Sequence, residues 1–127
     1  NYLLNIGPSP EGEFDTTAYS RLKEIGQWMN VNGSAIYGTR KFSTFKEGES
    51  IRFTQSKDGK TVYVFLFDYP EKQVVLSKIP FLSTSKVKLL GSKEKLKWTQ
   101  KGGTVEISMP AQGKTASQHV WVLQVDL

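Results

Sequence analysis

Ile51-Arg52-Phe53-Thr54-Gln55-Ser56-Lys57-Asp58-Gly59-Lys60-Thr61-Val62-Tyr63-Val64-Phe65-Leu66-Phe67-Asp68 is the stretch that decides the fold. Ile51, Phe53 and Gln55 alternate with Arg52 and Thr54, the period of two expected of a strand. Asp58-Gly59 follows, and a two-residue Asp-Gly step between β-prone runs is the strongest short signal for a hairpin. Thr61–Asp68 is a long run of β-branched and aromatic residues, the types that fit a pleated surface.

The same pattern continues toward the C-terminus. Strands are predicted at Gln73–Leu76, Val87–Leu90, Leu96–Thr99, Thr104–Met109 and His119–Val125, with Gly102-Gly103 forming a second tight hairpin. Short strands separated by turn signals predict an antiparallel β-sandwich or barrel. In the last strand Trp121, Leu123 and Val125 share one face and Val120, Val122 and Gln124 the other, so Trp121 is expected to point inward.

Toward the N-terminus the pattern changes. Tyr2-Leu3-Leu4-Asn5-Ile6 is an apolar run stopped by Gly7-Pro8. Adjacent Leu3 and Leu4 suit a strand buried on both faces, as in a parallel sheet. Asp15, Thr16 or Thr17 can cap a helix over 16–31, in which Tyr19, Leu22, Ile25, Gly26 and Met29 recur at helical spacing. Gly33 suits the left-handed position that closes such a helix. A lone parallel-type strand needs neighbours that this sequence does not contain. Residues 1–40 therefore read as the last β/α unit of a larger α/β domain, and 41–127 as a C-terminal β-sandwich. Position 1 is not a methionine, and the chain is expected to be a piece of a longer polypeptide.

Composition sets the outer limits. The 127 residues are 38% hydrophobic and 23% charged, as in globular domains and unlike disordered chains. No apolar run approaches the ~20 residues that cross a bilayer as a helix, so no membrane is expected. The net charge is +5, but the lysines alternate with other residues along strands and turns, with Glu and Asp among them. That scatter reads as a solvated surface and not as a nucleic-acid footprint. No cysteine is present, which removes disulfides and thiolate metal sites and leaves the compartment open.

Catalytic motifs are sparse. The single histidine, His119, has no cysteine or second histidine with which to hold zinc, and no cofactor is expected. There is no G-x-S-x-G, and the glycines do not form a phosphate loop. The twelve carboxylates include Glu47, Glu49, Asp58, Glu71 and Glu94, placed in loops and on polar strand faces. Solvated charge is their ordinary state. The tryptophans Trp28, Trp98 and Trp121, with Tyr63, Phe65 and Phe67, serve either as core or as a sugar-stacking platform. Trp121 and Phe65 read as core. Trp98 and Tyr69, beside polar or turn residues, stay open to both readings.

Three motifs in order carry a family resemblance. They are Asn1-Tyr2-Leu3-Leu4-Asn5-Ile6-Gly7-Pro8, Arg21-Leu22-Lys23-Glu24-Ile25-Gly26-Gln27-Trp28 and Asn32-Gly33-Ser34-Ala35-Ile36-Tyr37-Gly38-Thr39-Arg40. Together they resemble the α-L-fucosidases of glycoside hydrolase family 29, as do Val87-Lys88-Leu89-Leu90-Gly91 and Leu96-Lys97-Trp98 further on. The resemblance implies a catalytic (β/α)8-like barrel followed by a β-sandwich, so that 1–40 would be the last β/α unit of a truncated barrel. It also implies retaining hydrolysis of terminal α-L-fucose from glycans, with two carboxyl groups ~5 Å apart. In the family both come from barrel segments N-terminal to the part present here. No position in this chain matches them, so no catalytic residue is assigned.

Asn5, Gly7 and Pro8 would end the last barrel strand and sit at the rim of the parent's pocket, since active faces lie at the C-terminal ends of barrel strands. The plainer reading is that Asn5 satisfies backbone groups and Gly7-Pro8 turns the chain. Two functions follow: a non-catalytic domain that supports a barrel, or an independent carbohydrate-binding module that would need exposed coplanar rings. Fucosylated glycans are the implied partner, through the parent. The parent is expected to be periplasmic, extracellular or lysosomal. Self-association through residues 1–35 is expected, because the helix and strand lack their layer.

Overall fold

The computed structural model describes residues 3–111 and 115–127. Asn1 and Tyr2 of the expected first strand, and Lys114 among the lysines, lie outside the described residues. The chain divides into two compact units, Asn1–Asn30 and Val31–Leu127.

In the first unit, residues 3–9 belong to no strand. Leu3 is 91% exposed and Leu4 is also open to solvent, because a β-ladder needs a neighbour and these residues have none among those described. Ser9 organises the loop that follows. Its amide donates to the Glu13 carbonyl at 2.8 Å, and its hydroxyl accepts from the Glu11 and Glu13 amides. Helix α1 runs Thr16–Asn32. Of the three candidate caps, Asp15 takes the role: its Oδ1 accepts the Ala18 amide at 2.7 Å, satisfying one of the donors every helix start leaves open. Tyr19, Leu22 and Ile25 are all exposed, so the apolar face read from the sequence is real and uncovered.

Val31 and Asn32, the last residues of α1, count with the second unit. Gly33 is not left-handed. It opens a 3-10 turn, Gly33–Ala35, and its carbonyl accepts the amides of Ile36 and Tyr37. Gly38, with φ +69, supplies the left-handed residue instead, just before the first strand.

Nine strands follow among the described residues: β1 Thr39–Glu47, β2 Ile51–Ser56, β3 Thr61–Leu66, β4 Gln73–Leu76, β5 Lys86–Leu89, β6 Lys95–Leu96, β7 Trp98–Lys101, β8 Thr104–Ser108 and β9 Trp121–Asp126. They form a six-stranded sheet, β1-β2-β3-β9-β5-β6, and a three-stranded sheet, β4-β8-β7, with every pairing antiparallel. The fold is mainly β, as the alternation predicts. The Asp58-Gly59 hairpin joins β2 and β3 with Gly59 at φ +73.

The intersheet core is built from alternate residues. Phe53, Val62, Val64, Leu66, Leu123 and Val125 face it from the large sheet, and Val74, Leu76, Val105 and Ile107 from the small one. Trp121 is 5% exposed and points into this core, as its position on β9 predicts. β9 lies between β3 and β5 and is buried on both faces, since Val122, on the opposite face, is also fully buried. Tyr63 and Phe65 share that outer face, so Phe65 is buried but outside the intersheet core. Ala35 helps cover the outer face: its carbonyl accepts the Thr54 hydroxyl at 2.9 Å.

The single strand expected at Leu96–Thr99 is two. Leu96 pairs with Val87 in the large sheet, Trp98 pairs with Ile107 in the small one, and the chain crosses between sheets at Lys97.

Candidate functional site

Asn5, Gly7 and Pro8 are exposed in the first unit. A Cβ at Gly7 would meet nothing within 4 Å, so no close approach requires glycine there. The three residues lie in a segment with no regular secondary structure, and no side-chain hydrogen bond joins them.

Tyr69 and Trp98 sit in the second unit, each half-buried against the core. The Tyr69 hydroxyl donates to the Pro110 carbonyl, and its ring meets Trp121 edge-on at 4.9 Å. Burial pushes the Tyr69 phenol above its usual range, because the anion would lose its hydration. The Trp98 indole N–H donates to the Ser85 carbonyl at 3.1 Å, and its ring packs on Phe81 at 5.1 Å. Both rings thus have their polar handle and one neighbour committed inside the protein. Tyr37, Phe45 and Phe67 are the exposed aromatic side chains of this unit, with the Arg52 guanidinium 5.9 Å from the Phe67 ring centre.

The polar groups are arranged as structure. Glu47 accepts both the amide and the hydroxyl of Ser77, at 2.8 and 2.6 Å. Asp58 accepts from the Ser56 hydroxyl at 2.5 Å and the Lys60 amide at 3.1 Å within the hairpin turn. The Ser56 hydrogen bond, then the Lys60 amide, hold the Asp58 carboxyl below its usual range. A general acid needs the opposite shift. His119 is exposed in the bend before β9. Among the described residues no group of three His, Asp or Glu side chains is placed to hold a metal ion.

The residues that sequence reasoning did not single out are Asn32, Gly91 and Ser117. Asn32 is fully buried, and its amide donates to the Ser117 hydroxyl at 3.0 Å. Gly91, at φ +81, faces Ala116 and Val31 so closely that an added Cβ would lie 2.7 Å from the Ala116 Cβ and 2.8 Å from Val31 Cγ1. Three distant segments meet there, and only a fold brings them together. The signal that existed was the glycine closing the Leu89-Leu90-Gly91 run.

The described residues define a two-sheet antiparallel β-sandwich preceded by a helix whose apolar face is open. Residues 46–126 match the family model of the α-L-fucosidase C-terminal domain, and residues 1–34 match that of α-L-fucosidase. The chain belongs to the α-L-fucosidase family, as its C-terminal region. It is 36% identical over 100 residues to the tissue α-L-fucosidase of Bos taurus, covering 78% of this chain and 21% of that protein. It is 29% identical to the tissue α-L-fucosidase of Homo sapiens, covering 98% of this chain and 28% of that protein. It superposes on the crystal structure of Thermotoga maritima α-fucosidase in complex with a mechanism-based inhibitor with a TM-score of 0.80. The sequence identity there is 27%, over 98% of this chain and 30% of that one. The chain thus spans between a fifth and a third of the proteins it resembles.

Proposed function

We propose that this chain is the non-catalytic C-terminal region of a retaining α-L-fucosidase, that its sandwich supports a catalytic barrel, and that it hydrolyses nothing alone. The observation that carries this reading is the open helix face. Tyr19 is 58%, Leu22 39% and Ile25 49% exposed on one side of α1. Apolar area left in water costs ~25 cal/mol per Å² against its buried state. This chain covers 21 to 30% of the relatives it resembles, and a strand layer elsewhere in such a protein is the natural cover for it. Residues 1–40 are accordingly the last β/α unit of that barrel and 41–127 the sandwich domain, and Asn5, Gly7 and Pro8 belong at the rim of the parent's pocket. The parent's substrate is a glycan ending in α-L-fucose.

The other reading, an independent sugar-binding module, asks for free rings, whereas Tyr69 and Trp98 are each engaged by a hydrogen bond and a ring neighbour. Titrating the chain with L-fucose while following tryptophan fluorescence separates the two. No saturable change is expected up to millimolar sugar. A saturable change lost in Trp98→Ala establishes the module instead.

A further inference from the structure

Lysines that are dispersed in the sequence are gathered by the fold. Lys86 and Lys88 lie on the outward face of β5, because Val87 and Leu89 between and beside them face the core. Lys95 on β6 is in direct register with Lys88, and Leu96 beside it takes the inward side. The three ammonium groups therefore start from neighbouring positions on one face at the edge of the large sheet. Lys86 and Lys88 are ~6.8 Å apart along the strand, and Lys88 and Lys95 are ~5 Å apart across it. Exposed Lys93 lies in the connection between these strands.

None of the four lysines has an ion pair among the described residues. Two carboxylates stand near the array. Asp126 is opposite Lys86 in register, and its Oδ1 accepts the Thr61 hydroxyl and the Gln124 amide, at 3.0 and 2.8 Å. Those hydrogen bonds do not cancel its charge, so it offsets part of the Lys86 charge and leaves Lys88, Lys93 and Lys95 as the centre of the patch. Glu94 is exposed in the turn. Like charges placed directly opposite each other destabilise a sheet. Lys88 against Lys95 is such a pair, and neither makes an ion pair among the described residues.

We propose that the outward face of β5–β6 is a docking surface for a sulfated polysaccharide. Charge complementarity carries the assignment: sulfates stay ionised at every physiological pH and repeat along such a chain, so that several can meet neighbouring lysines at once. Nucleic acid fits less well. Reading a duplex calls for an element that enters a groove, and binding a single strand calls for exposed rings on which bases stack. Phe81 and Trp98, the rings that flank this segment in sequence, are packed on each other. The inference stands apart from hydrolysis, since it concerns binding by the sandwich alone.

The test is a titration of the 127-residue chain with dextran sulfate at low salt, beside polygalacturonate, neutral dextran and duplex DNA. Dextran sulfate should bind most tightly, and neutral dextran not at all. The variant K88Q/K95Q should bind dextran sulfate about tenfold more weakly. K57Q/K60Q, which removes the same charge from the β2–β3 turn, should bind as the parent chain does. All four are exposed side chains, and circular dichroism verifies the fold; K86Q gives a second, single-site reading. Absence of dextran sulfate binding, equal weakening by both double variants, or tighter binding of polygalacturonate or DNA overturns the proposal.

Discussion

Asn32 donates its side-chain amide to Ser117 Oγ across 85 positions of sequence, and both residues are buried. The bond fixes the end of α1 to the segment that leads into β9. A buried donor deprived of its acceptor costs more than the bond itself contributes. Ser117→Ala should therefore lower the stability of the sandwich by about 1–3 kcal/mol. Urea unfolding followed by tryptophan fluorescence reads it, with Trp121 near the site through its indole N–H bond to Thr115 at 3.0 Å. An unchanged midpoint would contradict the role given to this pair.

Gly91 is required twice over. Its backbone is left-handed, and a methyl group would press on the Ala116 Cβ and on Val31 Cγ1. The left-handed conformation alone costs a residue with a Cβ ~1–2 kcal/mol. Gly91→Ala should thus cost more than about 2 kcal/mol. Gly59→Ala, also at positive φ but facing open space, should cost less. Equal losses in the two variants would mean that the contact contributes nothing.

The boundary between the units makes a prediction about truncation. The sequence expects a division near residue 40, where the period changes. The compact units divide at Asn30/Val31, and Asn32, Gly33 and Ala35 are buried in the second one. A chain starting at Val31 should keep its unfolding midpoint and sediment as a monomer. A chain starting at Ile36 loses Asn32 and Ala35 and should unfold at lower urea. The full chain should self-associate through residues 1–35, because Leu3, Tyr19, Leu22 and Ile25 are uncovered. Sedimentation of a monomeric full chain at high concentration would remove that expectation.

Alternation made most strands legible. Where neighbours on a strand face opposite environments, as in β4 and β5, the residues alone reveal which side meets the core, whereas β3 and β9, buried on both faces, are legible as β-prone runs. β1 was not legible because four residues, 42–45, fit between the pairs Lys41–Thr54 and Lys46–Arg52, and such a bulge scrambles the period. The crossing at Lys97 was hidden because Leu96 and Trp98 both look like one strand's inward residues, yet they serve different sheets. Gly33 misled because a glycine after a helix fits a 3-10 turn as readily as a left-handed cap. The candidate site was less legible still: Asn32, Gly91 and Ser117 are joined only by tertiary contact, and apart from the glycine closing the Leu89-Leu90-Gly91 run no local pattern marks them.

Asp58 provides a pH prediction. Its carboxyl is held below the usual range by the Ser56 hydroxyl and then by the Lys60 amide. A folded-state value below the unfolded one means that the turn's contribution is present above the unfolded value and is lost as pH falls through the folded one. NMR titration should place the Asp58 midpoint below 3.8, and Ser56→Ala should move it upward. A midpoint at or above 3.8 in the parent chain would contradict the hydrogen bonding described for the turn.

The central claim is that the chemistry lies outside this chain. The direct measurement is release of 4-nitrophenol from 4-nitrophenyl α-L-fucoside by the purified 127-residue protein at high concentration. A rate indistinguishable from that of a mock purification is expected. Turnover above that rate, abolished by replacing a single Asp or Glu of this sequence, would contradict it.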